Sequence, residues 1–159
     1  MNIHFNENQR FSQWWLWLLL MVVISNLVRE FLNGTAEEKD ALFFSALTLT
    51  LTSVLFGVMK LETTIDSEGI AVRFFPFHLK KKHFNWDQLE NCYLRSYNPI
   101  MEYGGWGIRK TFSGKGTAYN VKGKVGLQLV FQNGDRLLIG TQKAPELQAF
   151  LKSIKQYKD

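Results

Sequence analysis

The chain has 159 residues, 46% of them hydrophobic and 21% charged, with a net charge of +5. Its single cysteine, Cys92, excludes an internal disulfide framework and any multi-cysteine zinc or iron–sulfur site. Three prolines without a low-complexity tract exclude a long disordered chain, and the apolar residues crowd into the first 60 positions.

Residues 11–28 (FSQWWLWLLLMVVISNLV) and 41–59 (ALFFSALTLTLTSVLFGVM) are runs of 18 and 19 residues without a charge. At ~1.5 Å per residue each makes a helix of ~27–29 Å, close to the ~30 Å hydrocarbon core of a bilayer. Arg10 and Arg29 bound the first run, and Asp40 and Lys60 the second. A charge at the bilayer centre costs ~2.5 kcal/mol or more, so uncharged runs bounded by charges suit spanning helices. Trp14, Trp15 and Trp17 gather at one end of the first, where amphipathic rings favour the headgroup level. A soluble helix of this length normally keeps a polar face. A cleaved signal peptide normally has a basic leader and a small-residue cleavage site; residues 1–10 and Ser25-Asn26-Leu27 supply neither. Residues 1–60 therefore read as a retained transmembrane hairpin and 61–159 as a second domain.

In the second run Ser45, Thr48 and Thr52 share one helical face, and Thr50, Ser53 and Gly57 lie on an adjacent one. Small and hydroxyl residues let helices pack closely. A polar pore lining is the other reading; no intramembrane charge supports it, and two helices cannot enclose a channel. Residues 29–40 carry two basic and four acidic side chains, a net of −2, whereas residues 60–159 carry 16 basic and 9 acidic, a net of +7. The positive-inside bias then places both termini and the second domain in the cytoplasm and the connecting turn outside. Asn33-Gly34-Thr35 fits a glycosylation sequon, but a three-residue match is a weak signal and a short turn close to the bilayer is the better reading.

Beyond Lys60 the texture changes to β-branched and aromatic residues. Residues 61–66 (LETTID) and 70–77 (IAVRFFPF) read as strands around a Ser67-Glu68-Gly69 turn. Residues 80–86 (KKKHFNW) read as an edge strand blunted by lysines, followed by one helical turn at 87–90 with Asp87 as cap. Residues 91–97 alternate like a strand, and 125–132 and 136–140 flank Asn133-Gly134-Asp135, a strong hairpin signal. At the C-terminus Leu147, Phe150, Leu151 and Ile154 form the apolar stripe of a helix over 144–157, with Pro145 in its first turn. The predicted class is α+β: a transmembrane helical hairpin, then an antiparallel barrel or sandwich of six or seven strands capped by a helix. That order matches a pleckstrin-homology-like (PH-like) domain.

The strings EYGGWGIR (102–109) and GTAYNVKGKVGLQLVFQNGDRLLIGTQKAPEL (116–147) carry a resemblance. Over residues 61–151 the chain resembles small bacterial membrane proteins that join two transmembrane helices to a PH-like domain. The resemblance implies that fold and an inner-membrane location, and no reaction. Lipid-binding PH domains place several basic residues around the first strand turn. Here that turn is Asp66-Ser67-Glu68-Gly69, so inositol-phosphate recognition at that place is not expected.

Two surfaces are candidate sites. Tyr103, Gly104, Gly105, Trp106, Gly107 and Arg109 form a glycine-rich loop around one tryptophan. It serves either as a loop whose Trp106 folds back on the barrel, with Arg109 stacked on Tyr103 or Trp106, or as a Trp–Arg surface presented to a partner. Trp106 dipping into the headgroup layer is a third reading. Lys80, Lys81 and Lys82 suit an anionic leaflet at ~1 kcal/mol per lysine that reaches it, or simply a solvated edge. Enzyme motifs fail on spacing. GIRKTFSGKG (107–116) has six residues between Gly107 and Gly114 where a phosphate loop has four, and TFSGK (111–115) lacks the first glycine of a nucleophile elbow. His78 and His83 fall on opposite faces of a regular strand and would not share a metal, and Cys92 reads as a buried structural thiol. Arg73-Phe74-Phe75 and Lys82-His83-Phe84 interleave bases with aromatics, but no nucleic-acid motif accompanies them. The expectation is a non-catalytic, cofactor-free module at the membrane, binding a protein or peptide or the anionic bilayer surface. The alternative is a small accessory subunit of a larger membrane complex, joined through the Ser45, Thr48 and Thr52 face.

Overall fold

A computed structural model describes residues 4–12, 14–111 and 116–157, with side chains throughout except at 36–39. The chain divides into two compact units: Met1–Arg10 together with Lys60–Asp159, and Phe11–Met59.

The Phe11–Met59 unit is an antiparallel helix pair, α1 (Trp14–Asn33) and α2 (Ala36–Val58), joined at Gly34 and Thr35. Both are long and apolar enough to cross a membrane, and in the apolar stretch of α2 no residue is buried. Each helix runs beyond its charge-free run. In α1 the side chains of Asn26, Arg29 and Asn33 bond within the helix, Arg29 Nη2 donating to Asn26 Oδ1 and Asn33 Nδ2 to the Arg29 carbonyl. The hydroxyls of Ser45, Thr48, Thr50, Thr52 and Ser53 each donate to the carbonyl four residues back, at 2.8–2.9 Å. No hydroxyl of this set needs a donor or acceptor outside the helix, which is the condition for meeting hydrocarbon. Val23 and Leu27 of α1 border the cavity that Ser45, Thr48 and Thr52 line, and Phe11 meets Phe56 edge-on at 5.5 Å.

The other unit holds two sheets. One has the order β1 (Phe5–Arg10), β2 (Lys60–Ile65), β3 (Gly69–Phe75), β4 (Lys82–Asn85), all antiparallel. The strand β1 was not expected: the residues before the first helix belong to the sheet, not to the hairpin. Its register sets Arg10 opposite Lys60 and Phe5 opposite Ile65. The helix pair is thus an insertion between two paired strands. The inward face of β1 is polar apart from Phe5, because Glu7 and Gln9 are buried by hydrogen bonds. Glu7 accepts from Thr141 Oγ1 at 2.6 Å and the Gln142 amide at 2.7 Å; Gln9 Nε2 donates to the Gly140 carbonyl at 2.6 Å. A hydrophobicity pattern cannot register such a strand.

The second sheet has the order β5–β8–β9–β7–β6, where β5 is Leu89–Ser96, β6 Gly107–Lys110, β7 Thr117–Asn120, β8 Val125–Phe131 and β9 Arg136–Gly140. Short helices α3 (Pro99–Tyr103) and α4 (Ala144–Ser153) follow β5 and β9. Strands β7 and β9 run parallel, a departure from the all-antiparallel expectation. Nine strands are described rather than six or seven, in two sheets with no closed barrel among the described residues. Buried Leu61, Ile65, Ile70, Val72 and Phe74 line the inside of the first sheet, and Leu127, Leu129, Leu138 and Ile139 belong to the second.

Local chemistry explains the ends. The strand expected to reach Phe77 stops at Phe75, since Pro76 has no amide to continue the ladder. The 3₁₀ turn spans Trp86–Gln88 with Asn85, not Asp87, as its cap. At the 132–135 turn only Gly134 has positive φ (85°), and its amide bonds the Phe131 carbonyl. It is therefore a turn closed by one left-handed glycine, not a two-residue turn needing two. Helix α4 ends four residues short of Tyr157. Lys155 takes φ 58° and the Gln156 amide bonds back to the Leu151 carbonyl, a Schellman-type stop.

Candidate functional site

The Tyr103–Arg109 loop is built from β5 outward. Arg95, on β5, donates through Nε to Gln128 Oε1, through Nη1 to Glu102 Oε2 and through Nη2 to Tyr103 Oη, each at 2.9 Å. One guanidinium thus holds α3 against the second sheet, a role its place in the sequence did not announce. Asn98 caps α3 by accepting from the Ile100 and Met101 amides at 3.1 Å. Gly104 ends it in the left-handed region (φ 71°), where a side chain would be strained.

Of the six candidate residues, Tyr103 is buried and packs edge-on against Tyr97 at 6.0 Å, in a cluster with Ala118 and Leu138. Burial pushes the Tyr103 phenol up, against the lowering influence of the Arg95 charge and hydrogen bond. Gly107 is buried, and its amide donates to Asn120 Oδ1 at 2.9 Å. Trp106 is half-buried, with an indole Nε1 that is enclosed and lacks a hydrogen-bond partner. Arg109 is exposed and turns back, donating from Nε to the Trp106 carbonyl at 3.0 Å. Gly104 is exposed and Gly105 half-buried. The loop is therefore anchored at Tyr103 and Gly107 and open at Gly104 and Arg109. Exposed Ile100, Met101 and Ile108 flank it and add apolar surface.

The three lysines do not act together. Lys80 and Lys81 lie in the bend before β4, and Lys81 Nζ donates to Thr64 Oγ1 of β2 at 3.0 Å. Lys82 begins β4 and reaches Tyr119 of the other sheet, 3.0 Å from its hydroxyl and 5.6 Å above its ring. His78 stacks edge-on against the same ring at 5.1 Å, and burial and the Lys82 charge hold its pKa below the usual histidine value.

Lys82 opens onto a feature the sequence did not disclose, a cleft of about 780 Å³ between the two sheets. Lys82, His83 and Phe84 form its β4 side; Lys110, Thr117, Tyr119, Arg136 and Leu137 line the side of the second sheet. The sheets touch through Phe84 and Phe131, edge-on at 5.3 Å, and Gln132 ties the β8–β9 turn to the Gln88 and Asp87 carbonyls. Among the described residues no ion pair involves Lys82, Lys110 or Arg136.

Other candidates for chemistry are inert or dispersed. Cys92 is buried, and desolvation pushes its thiol up to about 12, so no thiolate forms near neutrality. Among the described residues no group of three His, Cys, Asp or Glu could hold a metal. Residues 112–115, which carry part of the rejected phosphate-loop string and most of the nucleophile-elbow string, lie outside the described residues. No protein-family model, no curated protein and no solved structure matches the chain.

Proposed function

We propose that the chain is a membrane-anchored binding module without catalysis, its β-rich unit held at a bilayer surface to engage a protein partner. One observation carries this reading: an insertion of two apolar, outward-facing helices between paired strands. Trp14, Met21, Leu32, Phe43, Phe44 and Leu51 are each more than half exposed in the helix pair. That much contiguous apolar surface is unstable in water and natural in lipid. Because Arg10 pairs with Lys60, the chain leaves and re-enters the sheet at one place. Two crossings then return it to the side it left, so β1 and the C-terminal unit share that side. The +7 of residues 60–159 favours the cytoplasmic face, at the inner (plasma) membrane if the bacterial resemblance holds. PH-like remains our description of the β-rich unit, supported by two packed sheets followed by a C-terminal helix.

The accessory-subunit reading is the weaker one, since the hydroxyls on the Ser45, Thr48 and Thr52 face bond inside α2 and would offer a neighbouring helix packing alone. The test uses the full chain in native membranes. It is expected to stay in the pellet after alkaline carbonate washing and to give discrete protein adducts from a photoreactive residue at Trp106, Met101 or His83. Release into the supernatant overturns the anchor. Retention without an adduct from any of the three positions overturns the binding role.

A further inference from the structure

The cleft between β4 and the second sheet combines features that point to one kind of ligand. Strand β4 pairs only with β3, so one of its edges is free among the described residues. In an antiparallel strand alternate backbone groups point to each side, and the outward set on an edge strand awaits a partner, apart here from the Asn85 amide, which donates to Gln88 Oε1 at 3.2 Å. Lys82, His83 and Phe84 are consecutive, so their side chains alternate between the two faces of the sheet, yet all three line the cleft. The cleft therefore follows the length of β4. Three cations from three different strands also line it, Lys82, Lys110 and Arg136, against one carboxylate, Asp135. Apolar contact comes from Phe84, Tyr119 and Leu137.

We propose that this cleft is the docking groove of the module and takes an acidic protein segment in extended form, added as a strand along the free edge of β4. This rests on the binding-module reading and names its partner class. A backbone edge has value only to a ligand with its own N–H and C=O groups, which favours a peptide over a lipid headgroup. The three cations and single carboxylate set the sign of its charge. At ~3.3 Å per residue the four residues of β4 offer an edge of about 13 Å, enough to pair with about four residues of the incoming segment. Lys82 and Phe84 share the face of β4 turned to the second sheet, so the cleft-facing side chains of an added strand meet cations and apolar wall together, and a segment carrying both acidic and β-branched residues fits best. Lys82 exchanges its neutral partner, the Tyr119 hydroxyl, for a carboxylate.

The full chain in neutral phosphatidylcholine nanodiscs tests this with a fluorescein-labelled octapeptide of alternating Glu and Val, read by anisotropy. The expected result is saturable binding. It should weaken at least tenfold for the double variant Lys82→Glu, Arg136→Glu, and equally when alternate peptide nitrogens are methylated. Lys143→Glu, Lys152→Glu makes the same charge change away from the cleft and should leave binding within twofold. No binding by the wild-type chain overturns the proposal. So does undiminished binding of the methylated peptide, which would mean charge attraction alone, or an equal loss in the control variant. Displacement of the peptide on moving to phosphatidylglycerol nanodiscs overturns it in favour of a headgroup in the cleft. The binding-module reading survives any of these if Trp106 or Met101 still yields a protein adduct in membranes.

Discussion

The helix pair and the β-rich unit solve one problem in opposite solvents. In the helix pair, polar groups turn inward onto their own backbone. Five hydroxyls of α2 bond the preceding turn, and large apolar side chains such as Trp14, Phe44 and Leu32 face out. In the β-rich unit, Leu61, Phe74, Leu127 and Leu138 are fully buried and the lysines face out. The contrast teaches that the medium is written in which groups are hidden, not in how many apolar residues there are. Strand β1 is the instructive exception, since on its inward face only Phe5 is apolar and Glu7 and Gln9 are covered by designed hydrogen bonds.

Removing β1 should break the contrast most severely. Deleting residues 1–10 strips β2 of one of its two partner strands and removes the acceptor of the Thr141 hydroxyl, the acceptor of the Gln142 amide and the Gln9 donor to the Gly140 carbonyl. Each orphaned buried group costs roughly 1–3 kcal/mol, and the loss of a six-residue strand adds to that. Against typical domain stabilities of roughly 5–15 kcal/mol, this should abolish cooperative unfolding of the β-rich unit. Limited proteolysis of the full chain in detergent should digest it at protease levels the wild type survives, while the helix pair remains in the membrane fraction.

Equal truncations in the two units should have unequal effects. Leu138→Ala removes a fully buried side chain and should cost about 2–5 kcal/mol by denaturant titration. Met21→Ala removes a side chain that is 66% exposed on α1 and should change stability in detergent by less than about 0.5 kcal/mol. The reverse pair sharpens the test. Val22→Arg puts a charge near the middle of α1 and should disfavour membrane insertion by about 2.5–3.5 kcal/mol, seen as a shift toward the soluble fraction. Thr64→Arg, on the outward face of β2, should insert and fold like the wild type.

What could be read in advance follows the same division. Both helices were legible because 18 and 19 uncharged residues have few other destinations, and the Asn133-Gly134 hairpin because turn geometry selects its residues. Strand β4 was legible as an edge from its lysines. Strand β1 was illegible because hydrogen bonds with residues more than 130 positions away, not apolar periodicity, bury it. Helix α3 rests on an Asn98 cap and on Arg95, contacts that local propensity does not encode. The glycine-rich loop was recognisable from its composition. The cleft was not, because Lys82, Lys110 and Arg136 come from three strands whose adjacency depends on the whole topology.

The smallest expected effect separates the unit's partly buried charges from its surface ones. Glu62 on β2 meets Lys60 and Arg73, both at 2.6 Å, with its side chain 15% exposed. Burial alone would raise its pKa; the hydrogen bonds and charges of Lys60 and Arg73 outweigh that and hold it below the ordinary glutamate value. A carboxylate depressed on folding stabilises the folded state above its unfolded pKa of about 4.3, and that contribution fades as pH falls through the folded value. Glu62→Gln should therefore cost about 1 kcal/mol at pH 7, within the range of partly exposed ion pairs, and less at each step below pH ~4.3 until the two proteins unfold alike. Glu146 pairs with Lys143 at 3.3 Å, but its side chain is 66% exposed and free to trade that partner for water. Glu146→Gln should unfold at pH 7 within about 0.5 kcal/mol of the wild type. If Glu146→Gln matched Glu62→Gln at neutral pH, ion pairing in this unit would owe nothing to burial.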